Sequence, residues 1–166
     1  MKIFLVGFMG CGKTTIGKKL ARLLNYEFAD LDKLIEVKAG MTIQEYFSEY
    51  GEEQFRVLEK EVLHSLANRT DLVVATGGGA PCYFDNMEWM NQSGVTVYLS
   101  MPPRALAGRL QGSTTRPLLR GLAGESLVEF IANKLKEREP FYNQAQNVVS
   151  GIDLTAEKLA GYLSIS

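Results

Sequence analysis

Gly7-Phe8-Met9-Gly10-Cys11-Gly12-Lys13-Thr14 decides the architecture. The octapeptide fits the pattern G-x-x-x-x-G-K-[ST]. Before it, Lys2 to Val6 is an apolar run of strand length. After it, residues 13–25 place Ile16, Leu20, Leu23 and Leu24 on one helical face. A strand, a glycine-rich turn and a helix in that order build an anion cradle. Glycines let the backbone curl until successive N–H groups point inward. The helix N-terminus adds positive dipole. Lys13 can then reach the outer phosphates of a nucleotide, and Thr14 can offer its hydroxyl to Mg²⁺. Cys11 offers mainly its backbone N–H; near a helix N-terminus and Lys13 its thiol could also be activated, provided it is exposed.

Outward from this loop, short apolar strands alternate with amphipathic helices. Strands are predicted at 2–6, 27–29, 72–76, 95–99 and 147–150. Helices are predicted at 13–25, 33–39, 43–49, 52–67, 85–93, 104–110, 126–138 and 156–163. Gly40 and Gly94 supply helix stops, Thr42 and Asp85 supply candidate caps, and Pro102-Pro103 suits a helix start. Residues 72–76 and 95–99 are apolar enough to be buried on both faces. Five strands alternating with helices predict an α/β domain with a parallel sheet covered on both sides. Such sheets bind ligands beyond the carboxyl ends of their strands, where the unusual residues of this chain cluster.

The 166 residues make one domain, 1–166, with no repeat or linker-like tract. Hydrophobic residues are 46% and charged residues 22%, which excludes disorder. The net charge is −1, so there is no basic excess to follow a nucleic-acid backbone. Two cysteines, Cys11 and Cys82, cannot make a disulfide framework, and a reducing compartment is expected. A single histidine, His64, argues against zinc sites and Ser-His-Asp triads and reads as a helix-face residue. The N-terminal apolar run is too short to span a membrane. A cytoplasmic protein with neither nucleic acid nor membrane as partner is expected.

Four further features narrow the chemistry. Asp30-Leu31-Asp32 closes the second strand, and a spacing of two in an extended segment aims both carboxylates the same way. One could serve a metal's water shell and the other a substrate hydroxyl; Asp32 could also cap the helix that follows. Gly77-Gly78-Gly79 follows a core strand and permits close backbone approach to a ligand. Arg56 and Arg138 carry planar guanidinium groups suited to a carboxylate, with Glu59 spaced to pair with Arg56. Finally, a glycine-flanked loop, approximately 111–124, carries Arg116 and reads as a lid closing over phosphates.

Together these segments resemble the shikimate kinase family. The resemblance covers nearly the whole chain in order: the phosphate loop, Asp-x-Asp, Gly-Glu-x-x-Phe-Arg from Gly51, Gly-Gly-Gly, Arg-Pro-Leu-Leu from Arg116, and Arg-x-Pro-x-Tyr from Arg138. It implies a three-layer α/β/α P-loop NTPase fold of the NMP-kinase-like type, with a five-stranded parallel sheet in the order 2-3-1-4-5. It implies transfer of the γ-phosphoryl group of Mg-ATP to the 3-hydroxyl of shikimate, with ATP and shikimate as small-molecule partners. A monomer is expected. The resemblance assigns Lys13, Asp32 and Arg116 as catalytic. It assigns Gly10, Cys11, Gly12, Lys13, Thr14, Thr15, Arg109 and Arg116 to the nucleotide. Asp32, Arg56, Gly77, Gly78, Gly79 and Arg138 fall to shikimate. Thr14 falls to Mg²⁺ directly and Asp30 through water. Residues 33–61 would form the shikimate-binding region, with Phe47 and Phe55 near the pocket, and 151–155 would wall the adenine.

Other small-molecule kinases on the same fold share the phosphate loop but have no reason to combine Gly77-Gly78-Gly79 with Arg56 and Arg138. A switch GTPase would carry Asn-Lys-x-Asp, which does not occur. A binding module without turnover would be expected to lose Lys13, Asp32 or Arg116, and all three are present.

Overall fold

The computed structural model describes residues 1–111 and 121–164. Five strands, β1 (Lys2–Val6), β2 (Glu27–Asp30), β3 (Leu72–Ala75), β4 (Val95–Ser100) and β5 (Asn147–Ser150), form one parallel sheet in the order β2-β3-β1-β4-β5. This is the predicted order. Between the strands run α1 (Lys13–Leu24), α2 (Leu31–Ala39), α3 (Ile43–His64), α4 (Asn86–Ser93), α5 (Pro103–Leu110), α6 (Gly124–Tyr142) and the closing α7 (Ala156–Tyr162).

The central strand shows why the sheet is sandwiched. Ile3, Phe4, Leu5 and Val6 are all fully buried. Neighbours along a strand point to opposite faces. The Phe4 ring meets Trp89 of α4 edge-on at 5.8 Å, and His64 at the end of α3 stacks on Trp89 at 4.5 Å. Leu5, on the other face, packs against α1 at Gly17. Helices therefore cover both faces. His64 is the helix-face residue expected.

Register sets the active end. Leu5 of β1 pairs with Ala75 of β3, and Asp30 of β2 pairs with the same Ala75. Two residues further along each chain lie Gly7, Gly77 and Asp32. The phosphate loop, the glycine triad and the acidic pair thus leave the sheet from one row. Thr76 fastens the row, its N–H and hydroxyl both donating to the carbonyl of Leu5.

Several local expectations change. Asp30, not Asp32, caps α2: its carboxylate accepts from the backbone N–H of Lys33 at 3.3 Å. The helix starts at Leu31, so the segment is not extended there, yet both carboxylates line one cleft. The two helices predicted at 43–49 and 52–67 are both present within α3, separated by a kink at Gly51 with φ 85°, which glycine tolerates. Thr42 caps α3 in a reciprocal bond pair with Glu45. Asp85 stands before α4 without a capping bond and pairs instead with Lys60 at 3.3 Å. Helix α6 runs to Tyr142, beyond its predicted end, and contains Pro140. Among the described residues, no helix is long and apolar enough to cross a membrane.

Candidate active site

The phosphate loop works through its backbone. Gly7, Gly10 and Gly12 have φ of 149°, 83° and 99°, values open to glycine and strained for other residues. Gly12 is the N-cap of α1, so the loop runs straight into the helix N-terminus. Lys13 is nearly buried. Its ammonium folds across the loop and donates to the carbonyls of Gly7 and Phe8. Cys11 is buried, with Sγ 3.8 Å from Lys13 Nζ, so the exposure required of a reactive thiol is not met.

A cleft of about 430 Å³ opens over this loop. Gly10, Gly12, Lys13, Thr14, Thr15, Asp30, Asp32, Gly77, Gly78 and Arg109 are among the residues that line it. Arg109 sits on the rim, and its guanidinium donates to the carbonyl of Gly10 at 3.4 Å. Gly151 lies behind the loop, where a Cβ would come within 3.5 Å of the Cys11 carbonyl. Arg116 lies outside the described residues.

Thr14 and Asp30 meet in the cleft, with the hydroxyl 3.4 Å from the carboxylate. These are hard oxygen donors, the type that Mg²⁺ prefers. Among the described residues there is no cluster of three or more acidic, His or Cys side chains that could cage a metal. Two protein oxygens beside a phosphate cradle fit a cation that keeps its waters and borrows phosphate oxygens.

The glycine triad is built on a different plan. Each glycine stands nearest to a different charged side chain. A Cβ on Gly77 would stand 2.8 Å from an Asp32 carboxylate oxygen and 3.5 Å from Glu59. On Gly78 it would stand 3.1 Å from an Arg138 nitrogen, and on Gly79 it would meet the Arg56 guanidinium at 2.7–3.0 Å. The triad therefore gathers one carboxylate and two arginines around three consecutive backbone units. Arg138 lies over the Phe8 ring at 5.5 Å, and one of its terminal nitrogens is buried with no hydrogen-bond partner among the described residues. Arg56 is held by Glu59 at 3.0 Å and approached by Glu52 at 3.7 Å. Two guanidinium groups at one floor can receive an anion that the protein itself supplies only in part.

Glu59 is fully buried, and burial raises its carboxyl to about 7 despite the nearby arginines. Phe47 and Phe55 pack together at 4.6 Å, and Phe55 is core. Sequence reading missed three supports. Tyr142 donates from its hydroxyl to the Gly78 carbonyl, fixing the middle of the triad. Tyr83 faces Arg56, and Glu52 receives the Tyr83 hydroxyl. The Arg-x-Pro-x-Tyr spacing marked Tyr142 for attention, but nothing local marked Tyr83.

Comparison with known proteins identifies the family. The family model described as shikimate kinase matches residues 9–164. A shikimate kinase of Parabacteroides distasonis is 49% identical, over 95% of this chain and 89% of that protein. One from Bacteroides fragilis is 50% identical over 89% and 83%. The crystal structure of shikimate kinase from Bacteroides thetaiotaomicron superposes with a TM-score of 0.93 at 43% identity, covering 99% of each chain. A shikimate kinase from Acinetobacter baumannii in complex with shikimate gives 0.86 at 40% identity, over 98% and 93%. A phosphate loop facing a carboxylate and two arginines, and relatives of this closeness over this much of the chain, lead to one conclusion: the chain belongs to the shikimate kinase family and is an ATP-dependent kinase of shikimate.

Proposed function

We propose that the chain transfers the γ-phosphoryl group of Mg-ATP to the 3-hydroxyl of shikimate with the following division of labour. The loop N–H groups of Gly10, Cys11 and Gly12, with Thr15, hold the phosphates, and Lys13 neutralises charge at the transferring group. Thr14 would hold Mg²⁺ directly and Asp30 through water, and the ion would supply charge neutralisation on the phosphates. Arg56 and Arg138 bind the substrate carboxylate and so fix the ring. Asp32 orients the attacking hydroxyl and accepts its proton. Gly77, Gly78 and Gly79 let the ring approach the backbone. Arg109 flanks the adenine. Arg116 is assigned to the transferring phosphoryl group from the sequence alone, with 111–124 as lid and 33–61 as shikimate-binding region.

One observation supports this division most. Asp32, Arg138 and Arg56 converge on three consecutive glycines next to the phosphate loop. This supports a proton acceptor and a carboxylate receptor held at one separation from the phosphoryl donor. Phosphoryl transfer is mainly positioning and charge stabilisation, so this separation is the catalytic device. We read the chain as a monomer acting in the cytoplasm.

The test is ADP release from Mg-ATP with shikimate, quinate, gluconate, AMP or no acceptor. Release with shikimate alone supports the proposal. Substitution of Asp32 by Asn that spared the shikimate-dependent rate would remove Asp32 as the base.

A further inference from the structure

Tyr83 has no part in the division of labour proposed above, yet the centre of its ring lies 4.1 Å from the Arg56 guanidinium carbon. The residue follows the 3₁₀ turn Ala80–Cys82, which itself follows the glycine triad. Its backbone is extended, at φ −122° and ψ 146°. Its hydroxyl donates to Glu52 at 2.9 Å, and Glu52 is the first residue after the Gly51 break in α3. The same Glu52 oxygen lies 3.7 Å from Arg56. Tyr83 therefore touches Arg56 twice, once through its ring and once through Glu52.

Arg56 needs such support. Its Nε is buried without a hydrogen-bond partner among the described residues, and only Glu59 pairs with it closely. An arginine has about 2 kcal/mol of rotamer entropy to lose, and a cation–π contact favours one orientation of its plane. Gly79 leaves no wall of its own on that guanidinium, since it has no side chain. The aromatic ring supplies a wall from the next turn of the chain.

We propose that Tyr83 is a positioning residue for shikimate recognition: its ring holds the Arg56 guanidinium in the plane that receives the substrate carboxylate, and its hydroxyl ties that ring to α3 through Glu52. The proposal rests on the role of Arg56 proposed above. An interaction that orients a binding group, equally in the ground and transition states, acts on KM and spares kcat. The ring carries the effect, so an aromatic replacement should keep most of it.

The experiment compares Tyr83→Phe, Tyr83→Leu and Arg56→Ala by steady-state kinetics, with melting curves for each. Tyr83→Leu is expected to raise the KM for shikimate about tenfold, with kcat and the KM for ATP changed less than threefold. Tyr83→Phe is expected to stay within about threefold of the parent in every constant. Arg56→Ala should exceed Tyr83→Leu, and Tyr83→Leu should add little on top of it. If Tyr83→Leu and Tyr83→Phe are equal, or if both substrates weaken together with a falling Tm, Tyr83 is only structural and the proposal is overturned. If Arg56→Ala leaves the KM for shikimate unmoved, the role of Arg56 fails. A large Arg56→Ala effect beside a silent Tyr83→Leu overturns the Tyr83 proposal alone.

Discussion

Two glycine-rich turns leave neighbouring strands of one sheet, and they use glycine for opposite reasons. In the phosphate loop, Gly7, Gly10 and Gly12 all have positive φ. Glycine is there for conformation, and the functional groups are backbone N–H donors. None of Gly77, Gly78 and Gly79 has positive φ; Gly79 sits at −92°. Glycine is there for space, and the functional groups are the side chains of Asp32, Arg138 and Arg56 that occupy it. The first turn reads any phosphate chain. On the proposed reading the second takes one substrate, because its contents come from α2, α3 and α6. A fold can keep the first unchanged while the second is rewritten.

The comparison breaks most sharply at its two charged centres. Lys13→Met should lower kcat by about 10³-fold or more, since Lys13 is the point charge of the loop. Turnover within tenfold of the parent would remove it from the phosphoryl group. Asp32→Asn should lower kcat by about 10²–10⁴-fold while ATP binding, followed by nucleotide titration, is retained. Loss of ATP affinity instead would place Asp32 on the nucleotide side.

A matched pair of glycine substitutions separates conformation from space. In Gly7→Ala the new Cβ would meet the backbone carbonyl of Leu99 at 3.0 Å, at a φ that alanine resists. Neither the carbonyl contact nor the backbone strain can relax cheaply, so melting temperature and ATP binding should both fall. In Gly79→Ala the three atoms nearest the new Cβ all belong to the flexible end of Arg56. The guanidinium can swing away, so stability should change little. The KM for shikimate should rise about tenfold or more, and the KM for ATP should stay within twofold. Equal losses of stability in the two variants would erase the distinction.

These two turns also differ in how far sequence alone reveals them. The phosphate loop is local: its residues are contiguous, its strand and helix are adjacent, and its mechanism is general. The sheet order followed from the family resemblance and agrees with the strand pairing. Asp32, Arg56, Arg138 and the triad were named from motifs, but their pairing one-to-one along Gly77, Gly78 and Gly79 was not. That pairing depends on how three helices approach one strand end. The same reason hid Tyr83, whose partner lies 27 positions earlier in the chain, as 83 − 56 gives. Local rules also misassigned the cap of α2. Asp30 and Asp32 are both good cap residues, and only the end of β2 at Asp30 decides between them.

The smallest effect expected concerns the one buried carboxyl beside the triad. Burial raises Glu59 from 4.5 to about 7, with Arg56 and Arg138 pulling it down and Asp32 pushing it up. The folded chain holds this proton across a range in which the unfolded chain has released it. The contribution of Glu59 to stability therefore falls as pH rises from about 4.5 to about 7. Glu59→Gln has no proton to lose, so its stability should change less with pH over that window, whatever its absolute level. The difference in slope should amount to a few degrees in Tm. The same protonation leaves more of the Arg56 charge free for an incoming carboxylate. The KM for shikimate should therefore be about two- to threefold lower at pH 6 than at pH 8 in the parent, and flat in Glu59→Gln. The KM for ATP should follow neither trend, because Glu59 lies on the triad side of the cleft. A parent and a Glu59→Gln variant with parallel pH curves would mean that Glu59 is ionised throughout and serves Arg56 only as a fixed countercharge.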